Sequence, residues 1–173
     1  LSARLEELVG FDGDLELQTN GSAPSKPWNA GPNSVVKLSS EAQSPFRNIF
    51  PAGELGIQLP NRGEYDGFGH PFPPLKPGTD RVFVGFDFRC KSKDAGGDGT
   101  WRYYLGHGAG NSAAVELFFN GDRFFRKSGG AVEPVGLVVG GEWYQVQLLL
   151  DLKQKTYTGV LSSRLGKTDF NGA

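Results

Sequence analysis

The chain has 173 residues, a formal net charge of -1, 26 glycines, 11 prolines, 13 phenylalanines and one cysteine. That length folds around a core without disulfide staples, the lone Cys90 excludes an internal disulfide or a thiolate metal cluster, and 18 basic residues spread without a run exclude a field for nucleic acid. No segment approaches the roughly 20 apolar residues that span a bilayer, so a soluble domain without membrane insertion is expected. Turn-formers and β-favouring aromatics outnumber straight-chain helix formers, which predicts an all-β fold.

Residues 1–10, "LSARLEELVG", carry Leu1, Leu5 and Leu8 at helical spacing ahead of Gly10, and suit a short amphipathic helix or a leader into the first strand. Residues 20–34, "NGSAPSKPWNAGPNS", are loop chemistry around Trp28, and "SVVKLSS" follows as a strand. Residues 44–80 form a long proline-rich excursion in which Ile57 and Leu59 supply one short strand. Excursions of this length commonly carry function.

The second half alternates more regularly. "RVFVGFDFRC", "WRYYLG", "AAVELFFN", "RFFRKS", "VEPVGLVV", "EWYQVQLLLDL" and "TYTGVLSS" read as consecutive strands with Gly-rich connections. The alternation places Val82, Val84, Phe86, Phe88 and Cys90 on one face, which makes Cys90 a small buried hydrophobe. Tyr144, Val146, Leu148, Leu150 and Leu152 likewise face a core, leaving Gln145, Gln147, Leu149 and Asp151 for the wet face. Asn120-Gly121 between "FF" pairs predicts a tight type I′ hairpin. The terminal "GKTDFNGA" shows no further element, and with no methionine present the chain is expected to be excised from a longer protein alongside other domains.

"GGEWYQVQLLLDLKQKTYTG" resembles the penultimate hairpin of concanavalin A-like (laminin G-like) jelly-roll modules, and "VFVGFDFRC" with "WRYYLG" resembles their central strands. The likeness spans residues 80–162, with a fainter echo in "SPFRNIFPAG". It implies that residues 1–173 form one two-sheet antiparallel β-sandwich, a jelly roll, and it implies function only by analogy. That superfamily includes lectins, carbohydrate-binding modules, adhesion domains, glucanases and polysaccharide lyases. The glucanase Glu-x-Asp-x-x-Glu strand is missing: "GEYDG" holds Glu64 and Asp66 without a third carboxylate. "AVELFFNGD" matches a legume-lectin metal strand at Glu116, Asn120 and Asp122, but Phe118 stands where a carboxylate belongs, so no metal site is expected there.

"GHGAG" at 106–110 precedes a strand, whereas a phosphate cradle precedes a helix. Asp94 and Asp98 in "KSKDAGGDG" could collect calcium as a minor alternative to no cofactor. His70 and His107 sit in loops, where Tyr65, Asp66 or Tyr104 would be needed as a catalytic partner. Trp28, Tyr65, Phe68 and Phe72 in the long loops, with Asn61, Arg62 and Asp66 nearby, are the side-chain types that stack on sugar rings and bind their hydroxyls. The expected function is therefore a non-catalytic, lectin-like module that binds a polysaccharide or glycan through Trp28, Asn61, Arg62, Tyr65, Asp66 and Phe68, in an extracellular, periplasmic or envelope protein. A structural or protein-contact domain is the alternative, ahead of a polysaccharide hydrolase or lyase.

Overall fold

A computed structural model describes residues 13, 15–38, 54–59, 67–90 and 100–173. These residues hold twelve strands and no α-helix; the helix expected over residues 1–10 lies outside them. The chain divides into two compact units, Leu1–Leu75 and Lys76–Ala173.

In the first unit β1 (Asn29–Ala30) pairs antiparallel with β4 (Phe68–Gly69), and β2 (Val35–Leu38) with β3 (Leu55–Gln58). The segment before β1 is tied to β2 at Val36, whose carbonyl accepts from Gly21 N–H and whose N–H donates to Ser22, both at 2.8 Å. Val36 is fully buried. Gln18, also buried, accepts from the N–H and hydroxyl of Ser25 at 2.8 and 3.2 Å, so its amide oxygen is not stranded away from water.

The second unit contains β5 (Arg81–Arg89), β6 (Trp101–Gly106), β7 (Ala113–Phe119), β8 (Arg123–Ser128), β9 (Ala131–Leu137), β10 (Trp143–Asp151), β11 (Thr156–Ser163) and β12 (Gly166–Gly172). They form two four-stranded antiparallel sheets, ordered β12-β11-β10-β5 and β6-β7-β8-β9. Each sheet is apolar on one face because its residues alternate, and the two apolar faces supply a single cluster. Phe88, Tyr144, Val146, Leu148, Tyr157, Leu161 and Phe170 come from one sheet, and Val115, Leu117 and Phe124 from the other. Phe88 stacks on Phe119 and Phe86 on Tyr103, each with ring centroids 4.4 Å apart. Burying each such side chain contributes about 1.5–3 kcal/mol.

The seven strands expected across residues 81–163 all form. Cys90 ends the inward row of β5, 8% exposed, and burial pushes its thiol up to about 11. Three expectations are corrected. "GKTDFNG" is not a trailing end but strand β12, which pairs with β11 from Tyr157↔Gly172 to Ser163↔Gly166. Gln145, expected on a wet face, is only 5% exposed; its amide donates to Asp87 across the ladder at 3.1 Å and accepts from Gln147 on its own strand at 2.9 Å, so these partners replace water.

The third correction concerns the β7–β8 hairpin. Neither Asn120 nor Gly121 adopts the left-handed conformation a type I′ turn needs. The Asn120 side-chain oxygen instead accepts from the N–H groups of Asp122 and Arg123 at 2.9 and 2.7 Å, a turn closed by a side chain. The positive-φ pair lies in the next hairpin, at Gly129 (φ 56) and Gly130 (φ 93), between the paired residues Ser128 and Ala131.

Candidate functional site

Among the described residues of the first unit, one aromatic group forms around the short β1–β4 ladder. Pairing places Ala30 opposite Phe68 and Asn29 opposite Gly69, and Gly31 N–H donates to Gly67 at 2.7 Å to close the ladder. Trp28 immediately precedes β1 and His70 immediately follows β4, so the antiparallel register brings His70 and Phe68 both onto Trp28. The Trp28 ring meets Phe68 edge to face, centroids 5.6 Å apart at 61°, and meets His70 at 5.0 Å and 86°. Such edge contacts match the electron-poor rim of one ring to the rich face of another.

Phe68 remains 43% exposed while Trp28 is half-buried. His70 Nδ1 lies 2.7 Å from the Pro71 carbonyl. A carbonyl only accepts, so the proton is on Nδ1 and the ring is held against Trp28 in one orientation. Lys26 Nζ donates to Asn29 Oδ1 at 2.5 Å beside the group, and Phe72 is exposed a few residues further on. The cluster thus offers a partly open aromatic surface edged by an amide and a cation.

Of the six residues expected to bind sugar, Trp28 and Phe68 are brought together here. Asn61, Arg62, Tyr65 and Asp66 lie outside the described residues, as do Glu64, Asp94 and Asp98. His70, considered as a base beside Tyr65 or Asp66, packs on Trp28. His107 is exposed in the loop before β7, where its N–H donates to Ser112 at 3.1 Å.

A second constellation, which residue spacing alone did not reveal, lies on the face of β6–β7–β8 turned away from the core. Glu116 is only 4% exposed. Its carboxylate accepts from Lys127 Nζ at 2.9 Å and from Gly110 N–H at 3.0 Å, and Arg102 Nε lies 3.4 Å away. Burial opposes its ionisation, but the hydrogen bonds from Lys127 and Gly110 and the charges of Lys127 and Arg102 outweigh it and hold the carboxyl below its ordinary range. Gly110 reaches Glu116 because the 106–112 loop folds back as a short 3-10 turn at Gly110–Ser112. Glu116 and Asn120, the partial match to a lectin metal strand, are thus engaged by this ion-pair group and by the hairpin turn respectively.

Beside β12, Arg126, Glu133, Asp169 and Asn171 line an open cleft of about 250 Å³, in which Arg126 is paired with Glu133 at 2.7 Å. No protein-family model, curated protein or solved structure matches this chain.

Proposed function

We propose that this chain is a non-catalytic carbohydrate-binding module whose Lys76–Ala173 unit is a concanavalin A-like two-sheet jelly-roll sandwich. Two four-stranded antiparallel sheets sharing one apolar cluster support the sandwich. The observation that carries the binding function is the Trp28–Phe68 pair, held edge to face beside His70 with Phe68 still open to solvent. A sugar ring stacks its apolar face on such a surface, and Asn29 and Lys26, bonded to each other beside it, are the residue types that bind hydroxyls. Asn61, Arg62, Tyr65 and Asp66 fall in the segment leading into β4 and are proposed to complete the site.

The half-burial of Trp28 between Phe68 and His70 also favours a second function, a protein-contact or spacer domain in which the tryptophan only pins its loop. The two differ on Trp28→Ala and Phe68→Ala: in a binding module both weaken retention on a polysaccharide while the fold is kept, and in a spacer they change only stability.

A further inference from the structure

We propose that the outward face of β6–β7–β8 is a second binding surface, specific for the carboxylate-bearing sugars of an acidic polysaccharide. Register places Arg102 opposite Phe118 and Phe118 opposite Phe125, so a cation and two aromatic rings lie in one row across three strands. Adjacent strands are about 4.8 Å apart, which sets the spacing of that row. The neighbouring row runs from Tyr104 to Glu116, its direct partner, and on to Lys127.

The Arg102 guanidinium lies 5.3 Å from the Phe118 ring centre and its side chain is 51% exposed. Its closest approach to Glu116 is through Nε, and the planar guanidinium carries further donors in a fork, the geometry that takes a carboxylate through two parallel bonds. Tyr104, two residues along the same face, is 48% exposed and its hydroxyl makes no hydrogen bond among the described residues. Beneath them the buried Glu116 fixes Arg102 and Lys127 in place. Two cations share one carboxylate, so the face keeps a positive excess for an anion.

The exposed ring specifies a sugar rather than any anion, since Tyr104 can stack against its apolar face. An extended peptide would bind through the free backbone of an edge strand, which here is β6, so poly-glutamate is the control that separates peptide from sugar. This surface shares with the proposed function only the ligand class; it lies in the Lys76–Ala173 unit, whereas Trp28 and Phe68 lie in the other.

The test is calorimetric titration of the full chain with polygalacturonate, polymannuronate and hyaluronan. Fully methyl-esterified polygalacturonate serves as the uncharged twin, and poly-glutamate as an acidic polymer without sugar rings. At least one uronate polymer should bind, and the charged polygalacturonate should bind about tenfold or more tightly than its ester if it is that polymer. Arg102→Ala and Tyr104→Ala should each weaken the binding by about tenfold with the melting temperature retained, and Trp28→Ala should leave it unchanged. Arg102→Lys keeps the charge over Glu116 but loses the fork, and should also weaken it should the alanine variant not fold. The proposal is overturned if no uronate polymer binds, if poly-glutamate binds as tightly, if the Arg102 variants keep full affinity, or if Trp28→Ala removes the binding.

Discussion

The ring of Phe170 lies directly over Gly159, its partner across the β11–β12 ladder, and fills the space a side chain there would need. Two pairs away Tyr157 covers Gly172 in the same manner, with the roles of the strands exchanged. Each glycine lets an aromatic ring lie flat on the sheet, and Phe170 goes on to meet Phe124 of the opposite sheet at 5.6 Å. The edge strand is therefore locked to the core by rings rather than by its own sparse apolar content.

Gly159→Ala should consequently destabilise the protein by about 1–3 kcal/mol, the usual cost of overpacking, because the new Cβ meets the Phe170 ring. Urea denaturation measures this, and an unchanged midpoint would show that the ring has room to move aside.

The hairpins make a paired prediction. Gly130 has φ 93 and open space around it, so Gly130→Ala should cost about 1 kcal/mol through backbone strain alone. Asn120→Ala should cost a similar amount, about 1 kcal/mol, through loss of the side-chain oxygen that accepts two backbone N–H groups. Thermal melts of the two variants check both; a neutral Asn120→Ala would mean that the turn closes without its side chain.

Glu116 sets an acid-side pH dependence. Its folded pKa is depressed, so its contribution is complete above the unfolded value of about 4.3 and is lost as pH falls through the lower folded one. Glu116→Gln should lower stability at neutral pH by about 1–3 kcal/mol, since Lys127 and Arg102 lose their shared anion. The deficit against wild type should then shrink as pH falls from about 5 toward about 2. A deficit constant across that range would contradict the pairing.

Cys90 should be inert in the native protein. It is buried, and a thiol raised to about 11 holds almost no thiolate at neutral pH. Labelling with a disulfide reagent should be slow under native conditions and rapid in denaturant, and fast native labelling would place the thiol at the surface.

The strands from β5 to β11 were legible because their residues alternate over six to nine positions, which a core on one side demands. β12 was not, since "GKTDFNG" presents one large apolar side chain, Phe170, and its inward glycine is explained only by the Tyr157 ring across the ladder. The burial of Gln145 was not legible for a related reason: its partner Asp87 becomes visible only once β5 and β10 are in register. Trp28 and Phe68 could be named as ring-bearing loop residues, but their meeting depends on two-residue strands too short to carry a pattern. Arg102, Glu116 and Lys127 come from three strands, and no spacing along one strand could have joined them.

The most direct measurement is the retention of the wild-type chain and of Trp28→Ala on a broad panel of neutral and acidic polysaccharides, each variant first shown to be folded by its melting curve. A carbohydrate-binding module should be retained by at least one neutral glycan, and Trp28→Ala should weaken that retention about tenfold or more, about 1.4 kcal/mol, with little loss of stability. Silence of the folded wild type toward every neutral glycan, or a Trp28→Ala variant that binds those glycans as well as wild type, would contradict it and leave the aromatic cluster as packing.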